Sequence, residues 1–233
     1  MSTTLIINAR LVNEGHELDG ELRFKDGRID QIGNGLAARD GEAVIDAAGR
    51  RLLPGMIDDQ IHFREPGMEY KADMAIESAA AVAGGLTSFM DMPNTNPPTL
   101  NRDALEEKAR PYASAPSGLP LVQFALNAAL ELVHEGKLTT AQVVQKFAHA
   151  PAQLFDVSQR GFLREGYAAD LVLVDDTPST VQRSDVLSKC GWSPFEGTTF
   201  HTRVAATWVN GHLAWDGAAL LGAPIGQRLQ FDR

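Results

Sequence analysis

The sequence predicts an α/β protein in which a β/α segment, patterned like part of a parallel sheet or barrel, lies between two stretches of antiparallel sheet. Three observations predict it. Short alternating apolar runs separated by turns fill the first fifty residues, the same texture returns beyond residue 160, and between them strand-like and helix-like runs alternate.

In the N-terminal part the strand-like runs are LIINARLVN, ELRFKDGRIDQIG and EAVIDAAG, with Asp26 and Gly27 as a hairpin turn. GFLREGYAADLVLVD and TRVAATWVNGHLAWDG repeat that texture near the other end, where Asn210 and Gly211 mark a second hairpin. Sheet at both ends of one chain suggests a single domain split in sequence. In the middle, LLPGMID reads as one buried strand and KADMAIESAAAVAGG as an alanine-rich helix stopped by Gly84 and Gly85. LTSFMDMP reads as the next strand. Two more helices are expected, in GLPLVQFALNAALELVHEG and in LTTAQVVQKFAHAPAQLF, where Thr139 and Gln142 have capping-box spacing and Pro151 is expected to end the run.

Composition bounds the function. A hydrophobic content of 44% with 22% charged residues fits a globular protein with a proper core. A formal charge of −9 argues against nucleic acid or anionic membrane as a partner, because either needs a basic face. The single cysteine, Cys190, forms no intrachain disulfide, which fits a reducing compartment. The opening MSTTLIINARLVNEG carries no basic leader, and its apolar run is too short for a signal sequence or a membrane span. A cytoplasmic location is expected.

GMIDDQIHFREPG, AVAGGLTSFMDMPNTNPP, APSGLPLVQ, RGFLREGYAADLVLVD, KCGWSPFEG and ATWVNG, taken together and in this order, resemble dihydroorotase, of the cyclic amidohydrolase branch of the amidohydrolase superfamily. The resemblance implies a metal-dependent-hydrolase (β/α) barrel flanked by a small split β-sandwich. It divides the chain into residues 1–54 and 160–233 as the two parts of the sandwich and 55–159 as the barrel segment. The implied reaction is the reversible hydrolysis of dihydroorotate to carbamoyl aspartate in pyrimidine biosynthesis, with zinc as the cofactor.

The resemblance also implies site residues. Two imidazoles one residue apart on a strand end face the same way, because strand side chains alternate with period two. Zinc bound there lowers the pKa of its water toward neutrality, giving a hydroxide that attacks the amide carbonyl. His62 matches the second histidine of that pair and Asp58 the acidic residue before it; Gln60 stands where the first histidine is usual, and its neutral amide oxygen is a poor zinc ligand. Arg64, two positions further and expected on the same face, matches the arginine that pairs with the substrate carboxylate. Asn94 matches a second residue on that carboxylate. Hydantoinase and dihydropyrimidinase substrates lack this carboxylate, so Arg64 favours the dihydroorotase branch.

Length argues against a complete enzyme. The barrel segment has roughly 105 residues, whereas a whole (β/α)8 barrel takes about 200 to 250. The barrel is therefore expected to be incomplete, without the strands that carry the family's bridging lysine, further ligand histidines and catalytic aspartate. Lys25, Lys71, Lys108, Lys137, Lys146 and Lys189 all fall in polar turns, loops or helix patterns, and His16, His134, His149, His201 and His212 read as structural or solvated. LEEK, Leu105–Lys108, fits both of the family segments that flank the missing middle and marks the expected join. The expectation is a chain inactive by itself that associates into homo-oligomers or aggregates. The alternatives are a non-catalytic subunit scaffolding aspartate transcarbamoylase and an enzyme rebuilt by strand exchange between chains.

Overall fold

A computed structural model describes residues 3–92 and 120–232. The N-terminal strands are β1 (Thr3–Asn13), β2 (His16–Lys25), β3 (Arg28–Gly33), β4 (Ala43–Asp46) and β5 (Arg51–Pro54). The middle holds β6 (Met56–Ile61), α1 (Met74–Ala83), β7 (Leu86–Asp91), α2 (Ala125–His134), α3 (Thr140–Val144) and α4 (Ala150–Leu154). The C-terminal strands are β8 (Leu171–Asp175), β9 (Ser179–Thr180), β10 (Thr199–Phe200), β11 (Arg203–Val209) and β12 (His212–Trp215).

Strands from both ends of the chain form one sheet, in the order β12-β11-β8-β5-β1-β2-β3, with β4 also paired to β1. The decisive seam is β5 against β8, antiparallel, with Arg51 opposite Val174 and Pro54 opposite Leu171. The sheet curls until the start of β3 meets the segment leading into β8: Ile29 N–H donates to Tyr167 O at 2.9 Å and Gly166 N–H to Ile29 O at 2.8 Å. The two layers of the split sandwich are thus parts of one continuous hydrogen-bonded path.

Both faces of its central strands are buried, which explains the unbroken apolar run LVLV. Leu171 and Leu173 point into the curl with Leu22, Phe24, Leu52 and Trp208. Val172 and Val174 point the other way, into a core shared with Leu53, Met56, Leu86, Leu126 and Leu130. Alternation with period two therefore sends one strand's side chains into two cores.

The two hairpin turns form as expected and touch. Asp26 and Gly27 have φ of 51° and 80°, and Asn210 and Gly211 have 48° and 75°, the left-handed pairs that two-residue turns require. A Cβ on Gly27 would lie 3.0 Å from the Asn210 carbonyl oxygen. Ala169 joins the turns, its N–H donating to Gly27 O and its carbonyl accepting from Gly211 N–H.

The middle segment is a β/α fragment. β6 and β7 pair in parallel through α1, the right unit for a barrel wall, and they are the two barrel-type strands among the described residues. α1 starts at its N-cap Asp73, whose carboxylate accepts Ile76 N–H, and ends at Gly84. Two expectations change here. LLPGMID is not one strand: at Gly55 the chain leaves the large sheet and enters the parallel pair, so β5 and β6 serve different layers. The reason is crowding, since a Cβ on Gly55 would stand 2.0 Å from Thr87 Oγ1, and only glycine lets the strands approach this closely at the crossover. Pro151 also does not end its helix. A π turn, Gln145–His149, lies between α3 and α4, and its wider winding accommodates the proline ring so that the helical course runs on to Leu154. The capping box of Thr139 and Gln142 is present as expected.

Candidate functional site

The end of β6 keeps its alternation. Ile61 and Phe63 are buried while Gln60 and His62 are exposed, so positions 60 and 62 share the outward face. Carboxylates fix the local backbone: Asp58 Oδ1 accepts Gln60 N–H at 2.9 Å and Asp91, at the end of β7, accepts Phe63 N–H at 3.0 Å. Phe63 packs edge-on against Phe89 with ring centroids 4.6 Å apart, which anchors the turn that presents His62.

Arg64 does not continue that face. The strand stops at Ile61, and Arg64 adopts φ of 65°, a left-handed conformation that breaks the period-two relation to His62. Its carbonyl accepts Met68 N–H at 3.2 Å, opening a compact loop. That loop is built from side-chain caps: Glu65 accepts Met74 N–H at 2.7 Å, and Glu69 accepts Gly67 N–H at 2.8 Å, which with Lys189 nearby holds the Glu69 carboxyl below its ordinary range. Asn94 and the expected join at Leu105–Lys108 lie outside the described residues.

A second segment closes over α1. Glu77, buried in the helix, accepts Ser188 Oγ at 2.8 Å and Lys189 N–H at 2.9 Å, and Lys189 Nζ pairs with Asp73 at 2.8 Å. KCGWSPFEG is thereby clamped to the helix that follows the His62 loop. Sequence reasoning missed Glu77, although an acidic residue amid alanines on the buried face of a predicted helix is a signal for such a partner.

The described residues around His62 do not make a zinc site. Zinc needs three or four Cys, His or carboxylate ligands around one point. Among the described residues the group of three or more His, Cys, Asp or Glu able to hold an ion is Glu131, His134 and His201, which excludes His62. A cleft of about 220 Å³ beside β6 is lined by Asp58, Asp59 and Lys146 with apolar neighbours, and neither His62 nor Arg64 lines it. It falls below the roughly 300–1,000 Å³ of ordinary small-molecule sites.

Comparison with known proteins agrees on ancestry. The Dihydro-orotase-like family model matches residues 49–116 and the Amidohydrolase family model matches residues 125–214. Dihydroorotase from Halobacterium salinarum is 46% identical over 112 residues, covering 46% of this chain and 26% of that protein. Dihydroorotase from Pelobacter propionicus is 45% identical over 100 residues, covering 42% of this chain and 24% of its own. The match thus spans about a quarter of the length of these curated relatives. L-hydantoinase (dihydropyrimidinase) from Arthrobacter aurescens superimposes with a TM-score of 0.80 at 16% identity, over 95% of this chain and 98% of that one. D-hydantoinase from Thermus sp. gives 0.80 at 14%, over 94% and 97%.

Fold and matched segments together define an amidohydrolase-type chain. Within that class it is dihydroorotase-like: side chains carry the chemistry and match dihydroorotases at up to 46% identity, whereas the hydantoinase likeness at 14–16% concerns the fold alone.

Proposed function

We propose that this chain is a dihydroorotase derivative, organised as sandwich 1–54, barrel remnant 55–159 and sandwich 160–233, that retains part of the carboxylate recognition of its relatives and does not hydrolyse dihydroorotate by itself. The observation that carries the reading is the extent of the match: the dihydroorotase segments cover 46% of this chain but only 26% of the Halobacterium salinarum protein. The matched families support it too, since the two models abut with only residues 117–124 between them while the curated relatives run to about four times the matched length.

Amide hydrolysis needs an activated hydroxide and a proton donor for the leaving nitrogen, and a positioned acid or base alone contributes roughly 10²–10⁴-fold. His62 supplies at most one metal ligand. Arg64 and Asn94 need no metal to pair with a carboxylate, so weak dihydroorotate binding without turnover is the expected residual activity. A cytoplasmic location belongs to the same reading, supported by the exposed Cys190 thiol, which forms no disulfide; no helix among the described residues is long and apolar enough to cross a membrane.

The test is metal analysis, dihydroorotate binding and turnover on one purified sample. The expected result is no turnover and binding abolished by Arg64→Met. Turnover that follows the chain through chromatography and disappears in His62→Ala would overturn the reading in favour of an enzyme rebuilt between chains. Absence of turnover and of ligand binding, with co-migration of added aspartate transcarbamoylase, would favour the scaffolding role.

A further inference from the structure

The last turn of α2 carries Glu131 and His134, three residues apart and so on one face of the helix. His201, between β10 and β11, lies against that face. Glu131 holds it twice: Oε2 accepts the His201 backbone N–H at 3.0 Å, and Oε1 sits 2.7 Å from the ring Nδ1. These contacts keep the Glu131 carboxyl below its ordinary range. The His134 ring stacks on that of His201, with centroids 3.6 Å apart and planes 11° apart. One carboxylate oxygen and two ring nitrogens therefore come within 4.8 Å of one another.

We propose that Glu131, His134 and His201 form a binding site for a divalent transition ion of the zinc class, distinct from the strand end that presents His62. Two imidazoles and one carboxylate are a zinc, cobalt or copper donor set, and they select against magnesium and calcium, which prefer all-oxygen shells. The site is partly preorganised, because the His201 backbone N–H anchors one carboxylate oxygen and leaves the other aimed at the ring. An ion enters between Oε1 and Nδ1, and the neutral ring then carries its proton on Nε2, leaving the Nδ1 lone pair for the ion. The stacked rings do not aim their lone pairs at one point, so His134 must turn about its side-chain bonds, which an exposed ring is free to do. Three protein ligands leave a fourth position for water.

Core packing does not require this grouping. His134 is exposed, and its helix is already held by Leu126, Ala129 and Leu130, which are buried in the core. Asn127, one turn earlier, ties the same helix to the same connection by donating to Thr202 O at 2.7 Å, so an ion would reinforce an existing joint between helix and sheet.

Titration of the full-length chain with cobalt(II), followed by its visible absorption and displaced by zinc, tests the proposal. One equivalent should bind. His134→Ala, which removes an exposed ring, should weaken binding by at least the roughly 10-fold that loss of even an outer-shell partner costs. Glu131→Gln should weaken it as well, while keeping an oxygen for the His201 N–H. His62→Ala should leave it unchanged, which separates this site from the reading of the strand end. Binding that is absent, that survives both His134→Ala and His201→Ala, or that is lost in His62→Ala would overturn it.

Discussion

His149 Nε2 accepts the backbone N–H of Glu14 at 2.9 Å, joining the helical middle of the chain to the β1–β2 hairpin across 135 residues of sequence. The opposite ring nitrogen faces the Gly161 carbonyl at 2.6 Å, so the ring is the neutral tautomer with its proton on Nδ1. Phe162 stacks on the imidazole with centroids 4.3 Å apart, and Arg164 lies over the other side of Phe162 while pairing with Glu14. Protonating Nε2 would set an N–H against an N–H inside the core.

Stability should therefore depend on pH through His149. Burial lowers its pKa in the folded protein below the ordinary 6.5. The unfolded chain then binds the proton more readily, so this contribution is complete above pH 6.5 and is lost as pH falls from there toward the folded value. Urea unfolding should show stability falling by up to about 1.4 kcal/mol per pH unit in that window. His149→Gln should flatten the dependence while lowering stability near neutrality; an unchanged slope would assign it to other groups.

Arg23 is inside the sheet, 2% exposed, and its guanidinium reaches Glu42 at 2.7 Å, Gln31 at 2.7 Å and the Ala37 carbonyl at 2.6 Å. The guanidinium holds the Glu42 carboxyl below its ordinary range. Replacing only one partner strands the other charge, so Arg23→Met should cost about 3–5 kcal/mol by chemical denaturation. The double variant Arg23→Met, Glu42→Leu should recover most of that loss. A single variant as stable as the parent would show that water already solvates this pair.

Gly55→Ala should destabilise by roughly 1–3 kcal/mol, because the new methyl meets Thr87 at the β5–β6 crossover. Thr87→Ala removes the two nearest atoms but leaves Thr87 Cβ at 2.7 Å, so rescue in the double variant should be partial. Full stability of Gly55→Ala alone would mean that β6 and β7 slide apart freely.

Much of this fold was legible because it follows from short-range rules. Asn210–Gly211 and Asp26–Gly27 announce their turns through residues that tolerate positive φ, and Thr139 with Gln142 announces a helix start. The break at Gly55 was not legible, since nothing local says that Thr87 will crowd it. The π turn before Pro151 was missed because a proline in a helical pattern ordinarily marks a boundary. At the candidate site the alternation of Gln60 and His62 could be read from sequence, but the left-handed Arg64 could not. Neither could the meeting of Glu131 and His134 with His201, about 70 residues away in sequence, which arises only when α2 docks beside β11.

Association is the fourth expectation. Among the described residues β6 and β7 pair only with each other, leaving backbone donors and acceptors along their outer edges for another strand. Size-exclusion chromatography with light scattering should show dimers or larger species whose proportion rises with concentration. A monodisperse monomer with a sharp cooperative melt would show that these edges are covered within one chain.

The seam between β5 and β8 pairs Arg51 with Val174 across more than half the chain. For a flexible connection, doubling its length raises the entropy cost of closing it by only about 0.6 kcal/mol. A clasp made by the two ends is thus nearly indifferent to how much polypeptide it encloses. The same two strands could close around a much longer or much shorter segment between Pro54 and Leu171 at nearly the same cost, so the sheet places little constraint on the size of what it frames.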